Sequence, residues 1–178
     1  MVPEATFVGL DISPKIVELA KEKCKSLSNV SFTVTSAYQT GLSDHSVDIV
    51  CGFYALHHFD ITAIQKEIFR ILRPGGLVFF YEPNILNPMV YIIKSSPSLK
   101  KRVGDSPDEW AINPITIGKS FPGFDVLRKY TTEFIWPIRI IPDKVLKQID
   151  KLTSVLSHVP VINLFGGSLV LCLRKKEN

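Results

Sequence analysis

The sequence predicts an α/β fold, a doubly wound and mostly parallel sheet with an antiparallel last strand, and three stretches carry the prediction. TFVGLDIS, at residues 6–13, sets a short apolar run before Asp11 and then a helix start. VDIVCGF, at residues 47–53, is an apolar run broken near its start by Asp48, and it reads as a central strand buried on both faces. RILRPGGLVFFY, at residues 70–81, ends a helix and opens a further apolar strand. Strands buried on both faces need near-continuous apolar runs, and strands alternating with helices imply right-handed βαβ crossovers.

The elements follow in order. After the strand at residues 6–12, Ser13 serves as an N-cap and Pro14 fits the first helical position. The helix runs to about Ser26; Ile16, Leu19, Ala20, Cys24 and Leu27 recur at spacings of three and four and are predicted to be buried, with Glu18, Lys21, Glu22 and Lys25 in water. Val30, Phe32 and Val34 alternate with polar residues, which predicts a sheet-edge strand over Val30–Thr35. Residues 38–46 are polar and irregular, a loop crossing the edge where ligands bind. Past Gly52 the chain turns to Phe53, Tyr54, His57 and His58, so polar and aromatic groups stand at the carboxyl end of the central strand, where open α/β sheets take ligands. Asp60 or Thr62 caps a helix with Ile64, Ile68, Ile71 and Leu72 on one stripe; Pro74 and Gly75-Gly76 stop it, and Leu77–Tyr81 form the next strand.

From Glu82 prolines at positions 83, 88, 97, 107 and 114 cut the chain into short pieces that include Tyr91 and Trp110. Residues 83–122 are expected to form a lid or substrate-facing insert within one domain spanning residues 1–178. A short helix is expected over 114–121, a strand over Phe124–Phe134, and an amphipathic helix from Pro142 with Val145, Leu146, Ile149, Leu152 and Leu156 on its apolar side. Ser168–Leu173 is the last strand, antiparallel to its neighbour.

Composition narrows the function classes. A chain of 178 residues with 46% hydrophobic content can bury a sizeable core. The net charge of +4 is mild, and the basic clusters at Lys94 with Lys100–Arg102 and at Arg174–Lys176 lack interleaved aromatics, so no nucleic-acid partner is expected. Cys24, Cys51 and Cys172 are far apart without a C-x-x-C pair; neither a disulfide framework nor a metal site is expected, and a reducing cytoplasm fits. The first residues carry Glu4 and no long apolar segment, so they are not expected to act as a signal peptide. Ser154–Leu173 is long and uncharged apart from His158, but Pro160, Asn163, Gly166 and Gly167 divide it; no stable membrane span is expected, while peripheral membrane contact stays open. Nothing in the pattern fixes an oligomeric state.

The stretches FVGLDISPKIVELAKEKC, SAYQTGLSDHSVDIVCGFYALHHF and IFRILRPGGLVFFYEPN, in that order and spacing, resemble the later two-thirds of a class I S-adenosylmethionine-dependent methyltransferase of the small-molecule type. The resemblance covers residues 6–84. It implies a Rossmann-like fold, S-adenosylmethionine as cofactor and methyl transfer to a small acceptor. Asp11 matches the acid that accepts hydrogen bonds from both ribose hydroxyls, a role suited to an ionised carboxylate, and Ile12 matches the apolar residue on the adenine face. Ser36-Ala37 stands where the family often has Asp-Ala against the adenine amino group, so Ser36 makes that contact weaker. Phe53 and Tyr54 match the segment lining the methionine end of the cofactor and the acceptor pocket.

By the same resemblance His57 and His58 are the catalytic candidates, since an imidazole near the transferred methyl could take a proton from the acceptor; Glu82 and Asn84 are alternatives facing the same cleft. Ile92, Trp110, Phe134, Ile135, Trp136 and Ile138 would suit a bulky apolar or lipid-like acceptor, and equally suit core and lid packing. The family's glycine-rich turn should precede Asp11 by about twenty residues, and only Gly9 occurs before it. The fold is therefore expected to be N-terminally truncated, its first strand and helix absent, which leaves the family's second and fourth strands without their shared neighbour. A degenerate domain without activity is one alternative. A nicotinamide-dependent oxidoreductase is another, disfavoured because no Tyr-x-x-x-Lys set accompanies Asp11.

Overall fold

The computed structural model of the chain describes residues 4–132, 144, 145, 147, 148 and 161–177. Its elements are β1 (Phe7–Asp11), α1 (Pro14–Lys23), β2 (Val30–Val34), β3 (Val47–Phe53), α2 (Ile61–Ile71), β4 (Leu72–Pro83), α3 (Pro88–Ser95), α4 (Pro97–Val103), β5 (Phe124–Thr132) and β6 (Ser168–Lys175). Single 3-10 turns lie at Leu56–His58, Ile117–Ser120 and Ile162–Phe165. Expected residues Phe134, Ile135, Trp136 and Ile138, and Leu146, Ile149, Leu152 and Leu156 of the amphipathic helix, lie outside the described residues.

Local chemistry sets the helix starts as the sequence predicts. The Ser13 hydroxyl accepts the Ile16 N–H ahead of Pro14, and Asp60 accepts the N–H groups of Thr62 and Ala63. At the far end of α2, Lys175 donates to the carbonyls of Phe69 and Leu72 at 2.7 and 2.8 Å and stacks over the Phe69 ring, so a cation from β6 satisfies the last turn of the helix. Burial pushes the Lys175 ammonium below its ordinary value.

The strands form two sheets. β1 and β2 pair in parallel, while the other four run in the order β3-β4-β6-β5, with β3 parallel to β4 and β6 antiparallel to both β4 and β5. The mostly parallel frame with an antiparallel last strand is as expected. One core lies between the four-stranded sheet and α2, built from Leu56, Ile64, Ile68, Leu72, Val78, Phe80, Phe121, Phe124, Leu169, Leu171 and Leu173. Fully burying each such side chain contributes on the order of 1.5–3 kcal/mol.

Two expectations about burial are corrected. β3 is not sandwiched between neighbours: among the described residues only β4 pairs with it, and Ile49 is 56% exposed with Cys51 and Phe53 also open. In α1 only Val17 is buried, with Ile16 and Leu19 half exposed. Both follow from one cause, since an apolar face is buried only where another element covers it. Neither β1 nor β3 has a partner on its second edge among the described residues, and these apolar side chains stand open to solvent. The expected stop of α2 at Pro74 also shifts: the helix ends at Ile71, and β4 begins at Leu72, opposite Val47.

Candidate active site

Asp11 ends β1. Its Oδ1 accepts the Ser13 N–H at 2.8 Å, and its other carboxylate oxygen has no hydrogen-bond partner among the described residues. Its carbonyl accepts the Thr35 N–H at 3.0 Å, which ties it to the end of β2. Ile12 beside it is 76% exposed. Ser36 accepts the Tyr38 N–H at 3.3 Å and Ala37 packs on the main core.

The next residues fasten this edge to the other sheet. The Tyr38 hydroxyl accepts the Asp60 N–H at 2.8 Å, its ring meets Phe59 edge-on at 5.6 Å, and Thr40 donates from its N–H and hydroxyl to Glu67 at 2.8 and 2.7 Å. The carboxyl end of β2, with Asp11 beside it, is thereby held against the turn that follows the carboxyl end of β3. Ser36, Ala37, Phe53, Tyr54, His57 and His58 thus lie along one connected edge. An open hollow of about 550 Å³ lies on the flank of α2, lined by Tyr38, Asp60, Ala63, Lys66, Glu67 and Arg70, and includes neither Asp11 nor the histidines.

Arg70 donates from Nε and Nη2 to Glu67 at 2.8 and 2.7 Å, and this ion pair outweighs the burial that would raise the carboxyl, holding Glu67 at about 2. A carboxyl depressed in the folded state stabilises the fold at pH values above its unfolded pKa, near 4.5, and loses that contribution as pH falls toward about 2. Glu67→Gln should therefore cost about 1–3 kcal/mol at neutral pH, toward the low end because Arg70 is partly in water. Denaturant titrations of both proteins should show the gap closing between pH 4.5 and 2; a gap constant with pH would contradict the ion pair.

Beyond β3, Tyr54 takes a left-handed backbone (φ 50°) where the strand turns into Leu56–His58, a conformation unfavourable for an aromatic residue. Its N–H donates to the Tyr81 carbonyl at 2.7 Å and its hydroxyl lies 3.2 Å from that of Ser168. Glu82 holds this turn in place. It is completely buried, its Oε1 accepts the N–H groups of Ala55 and Leu56 at 2.9 and 2.8 Å, and its Oε2 lies 2.6 Å from His57 Nδ1.

His57 is caught on its other side as well, since its Nε2 lies 3.1 Å from Glu109 Oε1. Its side chain is 4% exposed; that of His58 is 47% exposed, with the rings 4.1 Å apart. Glu109 also meets Lys94, 3.2 Å away, and Lys94 pairs with Asp105 at 2.8 Å. Burial would raise the Glu109 carboxyl, but the Ser106 N–H, His57 and Lys94 together hold it at about 2.

Three readings of these residues change. Glu82 faces into the protein and spends its oxygens on the turn, so it is not a cleft-facing acceptor. Asn84 is also buried, donating to the carbonyls of Leu164 and Gly166 and accepting the Leu86 N–H. His57, with both ring nitrogens against carboxylates, is a fixed member of a buried network, while His58 is the accessible imidazole. Lys94, Asp105 and Glu109 were not found by sequence reasoning. Only the inward alternation Val78, Phe80, Glu82 signals the network in advance.

Residues 2–80 match the family model described as a methyltransferase domain. An uncharacterised methyltransferase of Schizosaccharomyces pombe is 29% identical over 143 residues, covering 75% of this chain and 51% of that protein. A demethylmenaquinone methyltransferase of Lactococcus lactis is 34% identical over 97 residues, 53% of this chain and 38% of that protein. The solved SAM-dependent methyltransferase of Archaeoglobus fulgidus superposes with a TM-score of 0.61 at 15% identity, covering 94% of this chain and 75% of that one. That superposition shows a Rossmann-like α/β fold for the chain. Residues 2–80, under half of the chain, carry the similarity to the methyltransferase domain family. The chain spans about half or less of the length of these two curated relatives.

Proposed function

We propose that the protein containing this chain transfers the methyl group of S-adenosylmethionine to a small apolar or lipid-like acceptor. The observation that carries this reading is the connected edge on which Asp11, with one carboxylate oxygen uncommitted, is stapled through Thr35, Tyr38 and Asp60 to the turn bearing Phe53, Tyr54 and the two histidines. These residues fit the cofactor. Asp11 would take the ribose hydroxyls, Ile12 and Ser36-Ala37 the adenine side, and Phe53 with Tyr54 the wall beside the methionine portion.

When bound, the cofactor supplies a sulfonium-activated methyl group. A sulfonium is a good leaving group, so the chain's own residues need chiefly to align donor and acceptor. Glu82 fixes the backbone of residues 55–57 for that purpose, His57 positions the turn, and His58 is the group able to take a proton from the acceptor.

Residues 83–122 are proposed as the acceptor-facing insert. Tyr91, Ile92 and Trp110 are exposed there, with the Tyr91 and Trp110 rings edge-to-face at 6.4 Å, and apolar surface of this kind suits a hydrophobic acceptor. The names of relatives acting on demethylmenaquinone support a quinone-like class. Among the described residues no helix is long and apolar enough to cross a membrane, so contact with a lipid-borne acceptor would be peripheral.

The test is formation of S-adenosylhomocysteine from S-adenosylmethionine in the presence of quinols and other apolar phenols. Acceptor-dependent product is expected. Binding of the cofactor with no product from any acceptor of this class would contradict the reading and favour a domain acting without catalysis.

A further inference from the structure

We propose that His57, His58 and Glu109 form a binding site for one divalent transition-metal cation, with Glu82 as the carboxylate that orients His57 from behind. His57 Nε2 and Glu109 Oε1 are 3.1 Å apart, His58 Nε2 and the same oxygen are 3.9 Å apart, and all three atoms lie within 4.8 Å of one another. Ligand atoms bound to one cation at about 2.0–2.2 Å stand roughly 3–3.5 Å from each other, so small ring and carboxylate adjustments bring the set to coordination distance. Filling the site exchanges the His57–Glu109 contact for a bond from each group to the cation.

Two further features argue for a cation and not for a chance cluster. Glu82 Oε2 lies 2.6 Å from His57 Nδ1, the arrangement in which a carboxylate fixes the ring so that the opposite nitrogen offers its lone pair. The surrounding charges also leave room for one. Glu109 and Asp105 are two carboxylates sharing one ammonium, that of Lys94, which sits closer to Asp105 (2.8 Å) than to Glu109 (3.2 Å), while Glu82 stands behind His57. Lys94 can therefore remain on Asp105 while the cation shares Glu109. His58, on the exposed side, gives the route of entry and leaves open coordination positions toward solvent.

Two imidazoles and one carboxylate with open positions suit Zn²⁺, Co²⁺ or Ni²⁺ better than Ca²⁺ or Mg²⁺, which prefer all-oxygen sets. The inference stands apart from the methyl-transfer reading. Where the cation is bound, it and not a free His58 ring would meet an acceptor's oxygen.

The experiment titrates Co²⁺ into the whole chain and follows the visible d–d absorption, with Zn²⁺ as competitor. One equivalent of bound Co²⁺, displaced by Zn²⁺, is expected, and His58→Ala, which leaves the buried network in place, should weaken binding at least 10-fold. Glu82→Gln should weaken it on the order of 10-fold through His57. Because Cys51 is exposed, Cys51→Ser serves as the control and should bind Co²⁺ normally. Absence of binding at sub-millimolar Co²⁺, an unchanged affinity in His58→Ala, or a thiolate charge-transfer band lost in Cys51→Ser would each overturn the proposal.

Discussion

Glu82→Ala should destabilise the protein by about 3–5 kcal/mol, the largest effect expected of any single substitution at this edge. The side chain is wholly out of water and is the acceptor for two backbone N–H groups within 2.9 Å, besides its contact with the His57 ring. Truncation strands those donors in a buried turn, and each unsatisfied buried donor costs about 1–3 kcal/mol. A cavity beneath Leu56, itself fully buried, adds to the loss. Guanidinium unfolding should show a lower midpoint with an unchanged slope. Glu82→Gln keeps one carbonyl oxygen for the Ala55 and Leu56 N–H groups and should recover about half of the loss; equal losses in the two variants would show that the turn does not depend on these hydrogen bonds.

Lys94→Met should cost about 3–4 kcal/mol for a different reason. Lys94 is 2% exposed, and its ammonium lies within 3.2 Å of both Asp105 and Glu109, which are themselves largely buried. Methionine fills nearly the same volume, so packing changes little. What remains is two carboxylates facing each other without their cation, and breaking a buried pair from one side costs more than the intact pair contributes. The companion variant makes the argument testable. Lys94→Met with Glu109→Gln removes one of the stranded charges and should be more stable than Lys94→Met alone, by about 1–2 kcal/mol. If the second substitution instead deepens the loss by its full single-site cost, the lysine is not acting through charge.

The frame of the fold could be read from local signals because those signals are local in cause. Ser13 and Pro14 begin α1, Asp60 caps α2, and the three apolar runs became β1, β3 and β4, each as its own few residues dictate. Burial could not be read in the same way. Ile16, Leu19, Ile49 and Phe53 are apolar at the right periods, yet their exposure is set by which elements lie opposite, and that is not a property of the residues themselves. The site divides along the same line. Asp11 and the histidines fall at strand ends that pattern alone can locate, whereas Glu109, which reaches His57, and Lys94, which reaches Glu109, both lie in the proline-broken chain beyond β4. No spacing rule anticipates that meeting. Glu82 is the intermediate case. The alternation that buries Val78 and Phe80 turns it inward, but its role follows only from the three N–H groups of the turn across the sheet.

Asp11 is the group proposed to grip the cofactor's sugar. Calorimetric titration of S-adenosylhomocysteine into the chain, set beside Asp11→Ala, tests this directly. Two charge-assisted hydrogen bonds are at stake, so the variant should bind roughly 10–100-fold more weakly with its folding stability nearly unchanged. Equal affinity in the two proteins, or no binding to either at millimolar ligand, would contradict it.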